Sequence, residues 1–160
     1  MKKIFLFLSI VYSLYSAEVI FKRGDVSVGM ILGSGSIEYG NNSQTYFIGG
    51  LEANYFIIDG LSIGVGANHW FGDNPTLTEY YFPVTYYLDI SSDLYPYAGI
   101  TYKYNSYSET FDNYSSLVYR GGVAYKVEWG YIAFGYAFDN SLDNEVDDRS
   151  YPELTFGFVF

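Results

Sequence analysis

The stretch that decides the fold class is YPYAGITYKY, Tyr95–Tyr104. From Pro96 onward every second residue is apolar or aromatic, and small or polar residues, Gly99, Thr101 and Lys103, stand between them. Successive side chains of a β-strand point to opposite faces of its sheet, whereas a helix repeats every 3.6 residues. The alternation therefore predicts a strand with one apolar and one polar face.

The same period-two pattern recurs seven more times after Ala17, and no segment keeps apolar residues at helical spacing for three turns. The apolar rows run over Val26–Leu32, Phe47–Tyr55, Leu61–Ala67, Tyr80–Leu88, Leu117–Tyr125, Ile132–Phe138 and Leu154–Phe160. Eight strands of about 10 residues, with their connections, use up the chain after Ala17. A barrel of 16 strands would not fit.

The connections between these rows alternate in length. The long ones are Gly33–Gln44, Phe71–Leu77, Asn105–Ser115 and Asp139–Ser150, and the short ones are Ile58–Gly60, Asp89–Asp93 and Lys126–Glu128. Ile58–Gly60 contains an Asp-Gly pair, which favours a tight hairpin turn. Long loops at one end and tight turns at the other are typical of a membrane barrel. The sequence therefore predicts an all-β fold, an eight-stranded antiparallel up-and-down transmembrane β-barrel.

Composition supports β structure and excludes several kinds of site. The 160 residues include 20 Tyr, 13 Phe and 17 Gly, a bias that favours strands over helices. There is no Cys, which excludes disulfides, Cys-based zinc sites and thiol redox chemistry. The formal net charge of −10 disfavours nucleic acid as a partner, because phosphates are repelled.

The first segment, Met1–Ala17, is predicted to be a cleaved secretory signal peptide. Lys2 and Lys3 precede an apolar run, and small residues, Ser16 and Ala17, close the segment. The apolar run is shorter than the roughly 20 residues that a membrane-spanning helix needs. Cleavage after Ser16 and cleavage after Ala17 both fit. The predicted domains are thus a signal peptide, residues 1–17, and a barrel, residues 18–160.

Which face is apolar decides the surroundings of the barrel. The lumen of an eight-stranded barrel is narrow, so the large side chains of the apolar rows are predicted to face lipid. The opposite faces are predicted to line the lumen with Glu52, Asn54, Ser62, Asn68, Thr101, Lys103, Arg120 and Thr155.

The charged residues of the lumen are predicted to form a network. Its predicted members are Glu52, Lys103, Arg120 and Lys126. Buried charges must be paired or solvated. A salt-bridge network that plugs the lumen is favoured, and a charged gate or narrow pore is the alternative.

Aromatic residues cluster at strand ends and are predicted to form two girdles at the membrane interfaces. The clusters are Tyr46 and Phe47, Tyr55 and Phe56, Tyr80 and Tyr81, Tyr86 and Tyr87, Tyr95 and Tyr97, Tyr102 and Tyr104, Trp129 and Tyr131, and Tyr136 and Phe138. His69 is expected beside Trp70 in the same belt. Pro83, inside the fourth row, is expected to cause a bulge or to delay strand pairing until after it.

The last ten residues, YPELTFGFVF, place Leu154, Phe156, Phe158 and Phe160 on one face. This segment resembles the C-terminal strand of bacterial outer-membrane β-barrel proteins. Two further segments, PVTYYLD and YPYAGITYKY, look like strands of small OmpA-like barrel domains. The resemblance implies residence in the outer membrane of a Gram-negative bacterium, among outer-membrane lipid and lipopolysaccharide. It also implies that the four residues are the signal read by the barrel-assembly machinery.

The resemblance implies no single activity, because such barrels host adhesins, enzymes and proteins of other roles. Barrel-type lipid A deacylases carry a Ser two residues after a His on one strand. The residue two after His69, the only His, is Phe71. We therefore predict no catalytic residue, and we predict no cofactor or metal site.

Two predicted loop segments contain residue types that are found in ligand sites. DNSLDNEVDDR, Asp139–Arg149, lacks the EF-hand spacing and is predicted to be a solvated acidic loop, with Ca²⁺ binding as the alternative. Gly33-Ser34-Gly35-Ser36 lacks the Lys and the following helix of a phosphate loop and is predicted to be flexible.

The predicted function is non-enzymatic, a structural or surface-contact role through long extracellular loops that meet a host or surface ligand. A lipid A-modifying enzyme, a narrow porin-like channel and a soluble secreted barrel with an apolar ligand are the alternatives.

Overall fold

A computed structural model describes residues 20–39, 42–72, 76–108, 112–143 and 147–160. The predicted signal peptide, Met1–Ala17, and its two cleavage sites lie outside the described residues. The strands are β1 (Val26–Tyr39), β2 (Asn42–Ile58), β3 (Leu61–Phe71), β4 (Leu77–Tyr87), β5 (Leu94–Tyr107), β6 (Tyr114–Val127), β7 (Gly130–Ser141) and β8 (Arg149–Val159). Each strand pairs antiparallel with the next, and β8 closes the barrel onto β1. The predicted eight-stranded up-and-down barrel is confirmed.

The polarity of the barrel is inverted relative to a water-soluble protein. Leu51 is 64% exposed, whereas its neighbour Glu52 is 4% exposed. The same contrast separates Phe134, 67% exposed, from the buried Ala133 on β7. Large apolar side chains thus cover the outside of the barrel, whereas polar and small side chains share the inside with buried aromatic and aliphatic ones.

Gly33–Gln44 is not a long loop, and the prediction of a flexible segment at Gly33–Ser36 is wrong. β1 and β2 stay paired from Gly33 opposite Ile48 as far as Tyr39 opposite Asn42. The inward face of this hairpin explains the glycine, because a Cβ at Gly35 would lie 2.7 Å from the ring of Trp70. Glycine is needed there to admit the indole, not to loosen the chain.

Two other long connections are also shorter than predicted, whereas the one between Phe71 and Leu77 is confirmed. β5 continues to Tyr107 and β6 begins at Tyr114, while β7 continues to Ser141 and β8 begins at Arg149. Polar residues in these stretches extend the hairpins above the closed part of the barrel. Their Asn and Ser content favours turns locally, but continued pairing between neighbouring strands overrides that preference.

The tight turns lie at the opposite end of the barrel. Asp59 and Gly60 form the predicted turn between β2 and β3, and the φ of Gly60 is +77°. The turn between β6 and β7 is Glu128–Trp129, one residue beyond the predicted Lys126–Glu128, because Val127 still pairs with Gly130. Both described chain ends lie at this turn end, since Phe160 and Val26 exchange backbone hydrogen bonds.

Pro83 causes neither the bulge nor the delayed pairing that was expected. On the β5 side the ladder is continuous, with Pro83 opposite Thr101. On the β3 side it is interrupted between the pairs Ile63–Val84 and Gly66–Tyr81, and the register is unchanged across the gap. Proline lacks an N–H and cannot donate to a ladder. The consequence at Pro83 is a short gap in the β3–β4 ladder, and strand pairing continues on both sides of that gap.

The prediction of aromatic girdles is wrong for seven of the sixteen residues, which point into the lumen. Adjacent residues of a strand face opposite sides, so Tyr46, Tyr81 and Tyr87 point into the lumen while their neighbours face outward. Trp70 is also inside and fully buried, so it does not share a belt with His69. The inward members of the clusters are Tyr46, Phe56, Tyr81, Tyr87, Tyr95, Tyr97 and Tyr131.

Candidate functional site

Charged and aromatic side chains of the described residues converge in the lumen. The inward residues of β8 mark its levels from the turn end upward: Val159, Glu153, Tyr151 and Arg149. An aromatic cluster fills the turn end, two salt-bridge networks occupy the middle, and a second aromatic cluster surrounds the upper network. We call the networks the Arg120 network (Glu52, Arg120, Glu153) and the Arg149 network (Glu79, Lys103, Asp139, Arg149).

The turn end is closed by Phe21, which enters the barrel from the segment that precedes β1. Its ring stacks on Tyr87 at a centroid distance of 4.1 Å and meets Tyr95 and Tyr131 edge-on. Its φ of 69° is costly for a bulky residue. The N–H of Gly60 donates to the Phe21 carbonyl at 2.8 Å, so the segment is fixed to the β2–β3 turn.

The Arg120 network joins three strands across the lumen. Arg120 on β6 donates from Nη1 to Glu52 on β2 at 2.8 Å and from Nε to Glu153 on β8 at 3.0 Å. The second oxygen of Glu52 accepts a hydrogen bond from Asn54 at 2.8 Å. Two of the predicted charges, Glu52 and Arg120, thus lie in contact, and Glu153 is a partner that sequence reasoning missed.

The Arg149 network joins two cations to two carboxylates. Lys103 lies 3.1 Å from Glu79 and 3.2 Å from Asp139. Arg149 Nη2 lies 2.8 Å from Asp139 and 3.4 Å from Glu79. It also donates to Asn105 at 3.2 Å. The sequence predicts a solvated acidic loop over Asp139–Arg149. This prediction is wrong for its two end residues, whose side chains are buried in the barrel.

Lys126, the fourth predicted member, lies away from both networks. It is near the end of β6 at the turn side, is half-buried, and pairs in register with Tyr131. Its backbone N–H donates to Asp93 at 2.8 Å. The alternation of β6 predicts that Lys126 faces inward. Lys126 lies at the turn end, at a different level of the lumen from Lys103 and Arg120.

Aromatic rings surround the cations of the upper network. The guanidinium of Arg149 lies 4.8 Å from the centre of the Trp70 ring and 5.8 Å from that of Tyr114. The ammonium of Lys103 lies 5.1 Å from the Tyr151 ring and donates to its hydroxyl. Such contacts stabilise a desolvated cation by about 2 kcal/mol.

Little space remains between the layers. One cavity of about 10 Å³ lies between the two networks, and a second of about 10 Å³ lies between Arg120 and the lower aromatic cluster. Each is near the volume that holds a single water molecule. Side chains therefore fill the described part of the lumen.

His69 lies on the outside of the barrel, near the hairpin end of β3. Its Nδ1 is 2.9 Å from Oγ1 of Thr78, which is its register partner on β4. Its ring meets Phe71 edge-on at 4.7 Å. Sequence reasoning sought a hydroxyl within two residues of His69 and so missed Thr78, which only strand pairing brings close.

The hairpin end presents exposed carboxylates. Asp112, Asp143, Asp147 and Asp148 are exposed there. Asp148 accepts hydrogen bonds from the Ser141 N–H at 3.0 Å and from Asn140 at 3.2 Å, so it also holds the β7–β8 hairpin together. Among the described residues, no group of three or more His, Asp or Glu side chains could hold a metal ion.

Comparison with solved structures gives several eight-stranded barrels of outer membranes. The N-terminal β-barrel domain of Pseudomonas aeruginosa OprF aligns with a TM-score of 0.69 at 13% identity, over 86% of this chain and 98% of that one. Neisserial surface protein A aligns with a TM-score of 0.64 at 19% identity, over 85% and 96%. OprG from Pseudomonas aeruginosa aligns with a TM-score of 0.55 at 13% identity, over 87% and 97%. No family model and no curated protein matches the sequence. The chain therefore has the fold of the small outer-membrane β-barrel proteins.

Proposed function

We propose that this chain is a non-enzymatic, non-conducting integral protein of the outer membrane of a Gram-negative bacterium. The observation that carries the proposal is the exposed apolar belt on all eight strands. Exposed apolar patches on soluble monomers seldom exceed a few hundred Å². In a bilayer the belt faces acyl chains, and the closed sheet pairs the backbone of the wall except at the short gap in the β3–β4 ladder beside Pro83.

The C-terminal strand supports the same location. Leu154, Phe156, Phe158 and Phe160 all lie on the outward face of the barrel or at its edge. Phe158 packs on Trp129 with a ring distance of 5.1 Å. We propose that these four residues form the recognition signal for the barrel-assembly machinery, and that Met1–Ala17 is removed during secretion. N-terminal sequencing should find a first residue of Ala17 or Glu18.

The filled lumen favours a plug over a pore. Three basic side chains are held by four carboxylates, and aromatic residues close the turn end. A narrow pore would need a continuous row of waters, but the described cavities beside Arg120 are separate and water-sized. In planar bilayers the protein should show no stable channels, and large stable channels would overturn this part of the proposal.

The hairpins give the barrel its contact surface. The carboxylates that they expose repel polyanions and attract cationic surfaces. The proposed role is therefore structural, or contact with a positively charged surface partner. Lipid and lipopolysaccharide surround the barrel wall in this proposal.

Membrane fractionation tests the location. The protein should remain with the outer membrane after carbonate washing, and its gel mobility should change on boiling, as expected for a closed membrane barrel. Deletion of Phe160 should lower the amount in the outer membrane, whereas deletion of a hairpin residue such as Asp143 should not. Recovery of folded protein in the periplasmic fraction would overturn the proposal.

The contact between His69 and Thr78 favours one second candidate, a hydrolase of membrane lipids. The hydroxyl and the ring nitrogen are within the range of a nucleophile and its general base. Thr78 Oγ1 would attack an ester carbonyl as His69 took its proton, and the ester C–O bond would break so that the lipid alcohol left with that proton. Water would then hydrolyse the Thr78 ester, which releases the fatty acid and restores the hydroxyl. A third group usually orients the base, and the described contact of the ring is with Phe71. Mass spectrometry of lipid A and phospholipids, with wild type and Thr78→Val, decides between the two. Unchanged lipids fit the non-enzymatic proposal.

A further inference from the structure

A groove crosses the outer surface of the barrel near its hairpin end. Its volume is about 470 Å³, within the usual range for small-molecule sites. The small residues Gly49 and Ala67 leave the space, and Met30, Leu51 and Tyr80 flank it. The lining is almost entirely apolar, and it is continuous with the belt that faces the bilayer in the proposed function.

The polar groups of this groove lie together at one end. His69 and Thr78 line it, and their side chains are hydrogen-bonded at 2.9 Å. A neutral imidazole and a hydroxyl carry one polar hydrogen each, and one of the two lies between them. In either tautomer of His69, the other hydrogen can be donated to an acceptor outside the protein.

We infer the height of the pair in the bilayer from the outward aromatic residues beside it. The pair lies just below Phe71, whose ring is 6.4 Å from that of Phe47 on the neighbouring strand. Outward aromatic residues of this kind mark the interface of a membrane barrel. An acceptor bound to His69 would therefore lie at the interface, and the groove would extend from it toward the bilayer centre.

We propose that the groove binds one acyl chain of a lipid in the leaflet on the hairpin side, and that the His69–Thr78 pair donates a hydrogen bond to an oxygen of its head group. This inference rests on the proposed outer-membrane location. A second outward groove, of about 560 Å³, lies where Pro83 interrupts the β3–β4 ladder. Its described lining has no counterpart of the polar pair, so we expect it to be covered by lipid without selection.

Native mass spectrometry of the full chain tests the proposal, with dimyristoylphosphatidylglycerol added to the detergent micelles. The wild type should retain one lipid per barrel. The double variant His69→Phe/Thr78→Val removes both donors and should lower that occupancy about fivefold, as expected for one lost hydrogen bond. Ala67→Leu, which fills the groove, should lower it at least as much. Ala53→Leu fills the second groove and is the matched control, with unchanged retention.

A measurement on the wild type alone guards against variants that fold poorly. In nanodiscs of the same lipid, nuclear Overhauser contacts should join lipid methylene protons to the methyl groups of Met30 and Ala67 more strongly than to that of Ala53. Equal contacts, equal retention by all variants, no retained lipid, or a groove covered by a second copy of the chain would each overturn the inference. If the chain does not enter bilayers at all, the proposed function fails instead.

Discussion

Removing the guanidinium of Arg120 while keeping the bulk of the side chain tests the plugged lumen most directly. Arg120→Met would leave Glu52 and Glu153 facing each other without the cation that bridges them at 2.8 and 3.0 Å. Both carboxylates are almost fully buried. Breaking a buried ion pair by removing one partner typically costs about 3–5 kcal/mol. We expect a loss of that size in the free energy of unfolding.

The reasoning makes a second, opposite prediction for a variant with no charge at this level. In Glu52→Gln/Arg120→Met/Glu153→Gln no carboxylate is left unpaired, and such replacements are often neutral. The triple variant should therefore recover most of the stability that Arg120→Met loses. Tyr119→Phe, the adjacent outward residue of β6, is the control and should change stability by less than about 0.5 kcal/mol.

Urea titration of the protein in lipid vesicles, followed by tryptophan fluorescence and by gel mobility, gives the free energy of unfolding. Planar-bilayer recording of the same variants should show no new channels, because the aromatic cluster at the turn end remains in place. A loss below about 1 kcal/mol for Arg120→Met, or a triple variant as unstable as the single one, would refute the argument from buried charge.

Three further outcomes follow from other parts of the barrel. Phe21→Ala should cost about 3 kcal/mol in the same titration, since it removes the buried ring from the turn end; an unchanged midpoint would mean that the segment does not enter the barrel. Gly35→Ala should lower the free energy of unfolding by about 1–3 kcal/mol because its methyl group would meet Trp70. The outward Ser36→Ala is the control and should be nearly neutral. Equal losses of stability in the two variants would support a flexible loop at this position. Lys103→Met should destabilise the barrel by about 3–5 kcal/mol because it leaves Glu79 and Asp139 with Arg149 as the one cation of their network; double substitution with Glu79→Gln should be less harmful than the single change.

The faces of the barrel could be predicted from the sequence because they depend on one local rule. Alternation alone separates Leu51 from Glu52 and Ile100 from Thr101, and both contrasts are present in the structure. The same rule would have sent Tyr46 inward beside Phe47, but the girdle prediction grouped aromatics by their distance from strand ends. Alternate residues of a strand face opposite sides, so the side that a residue faces does not depend on its distance from the strand end.

The partners of the lumen charges could not be predicted, because they depend on the stagger of the strands. Arg120 and Glu52 are 68 residues apart, and Arg149 and Glu79 are 70 apart. No local pattern fixes which levels of β2, β6 and β8 meet across a closed barrel. Glu153, Glu79 and Asp139 do alternate with outward residues, so parity would have marked them as candidates. These three residues lie in segments predicted to be loops or strand ends, and alternation is not applied there.

The hairpins rise to unequal heights around the rim. The last pair between β2 and β3 is Phe47–Phe71, and β2 continues for five more residues while paired to β1. On the other side, the β1–β8 ladder ends at Gly33–Glu153, next to Pro152. The β1–β2 ribbon therefore projects about 17 Å along its strands, at roughly 3.3 Å per residue. In the proposed outer-membrane orientation, with the hairpin end facing the medium, a soluble partner can reach this ribbon before the closed part of the wall, whereas a molecule diffusing sideways within the leaflet reaches the outward face of β3 and β4. The barrel thus offers one approach to visitors from the medium and another to neighbours in the membrane plane.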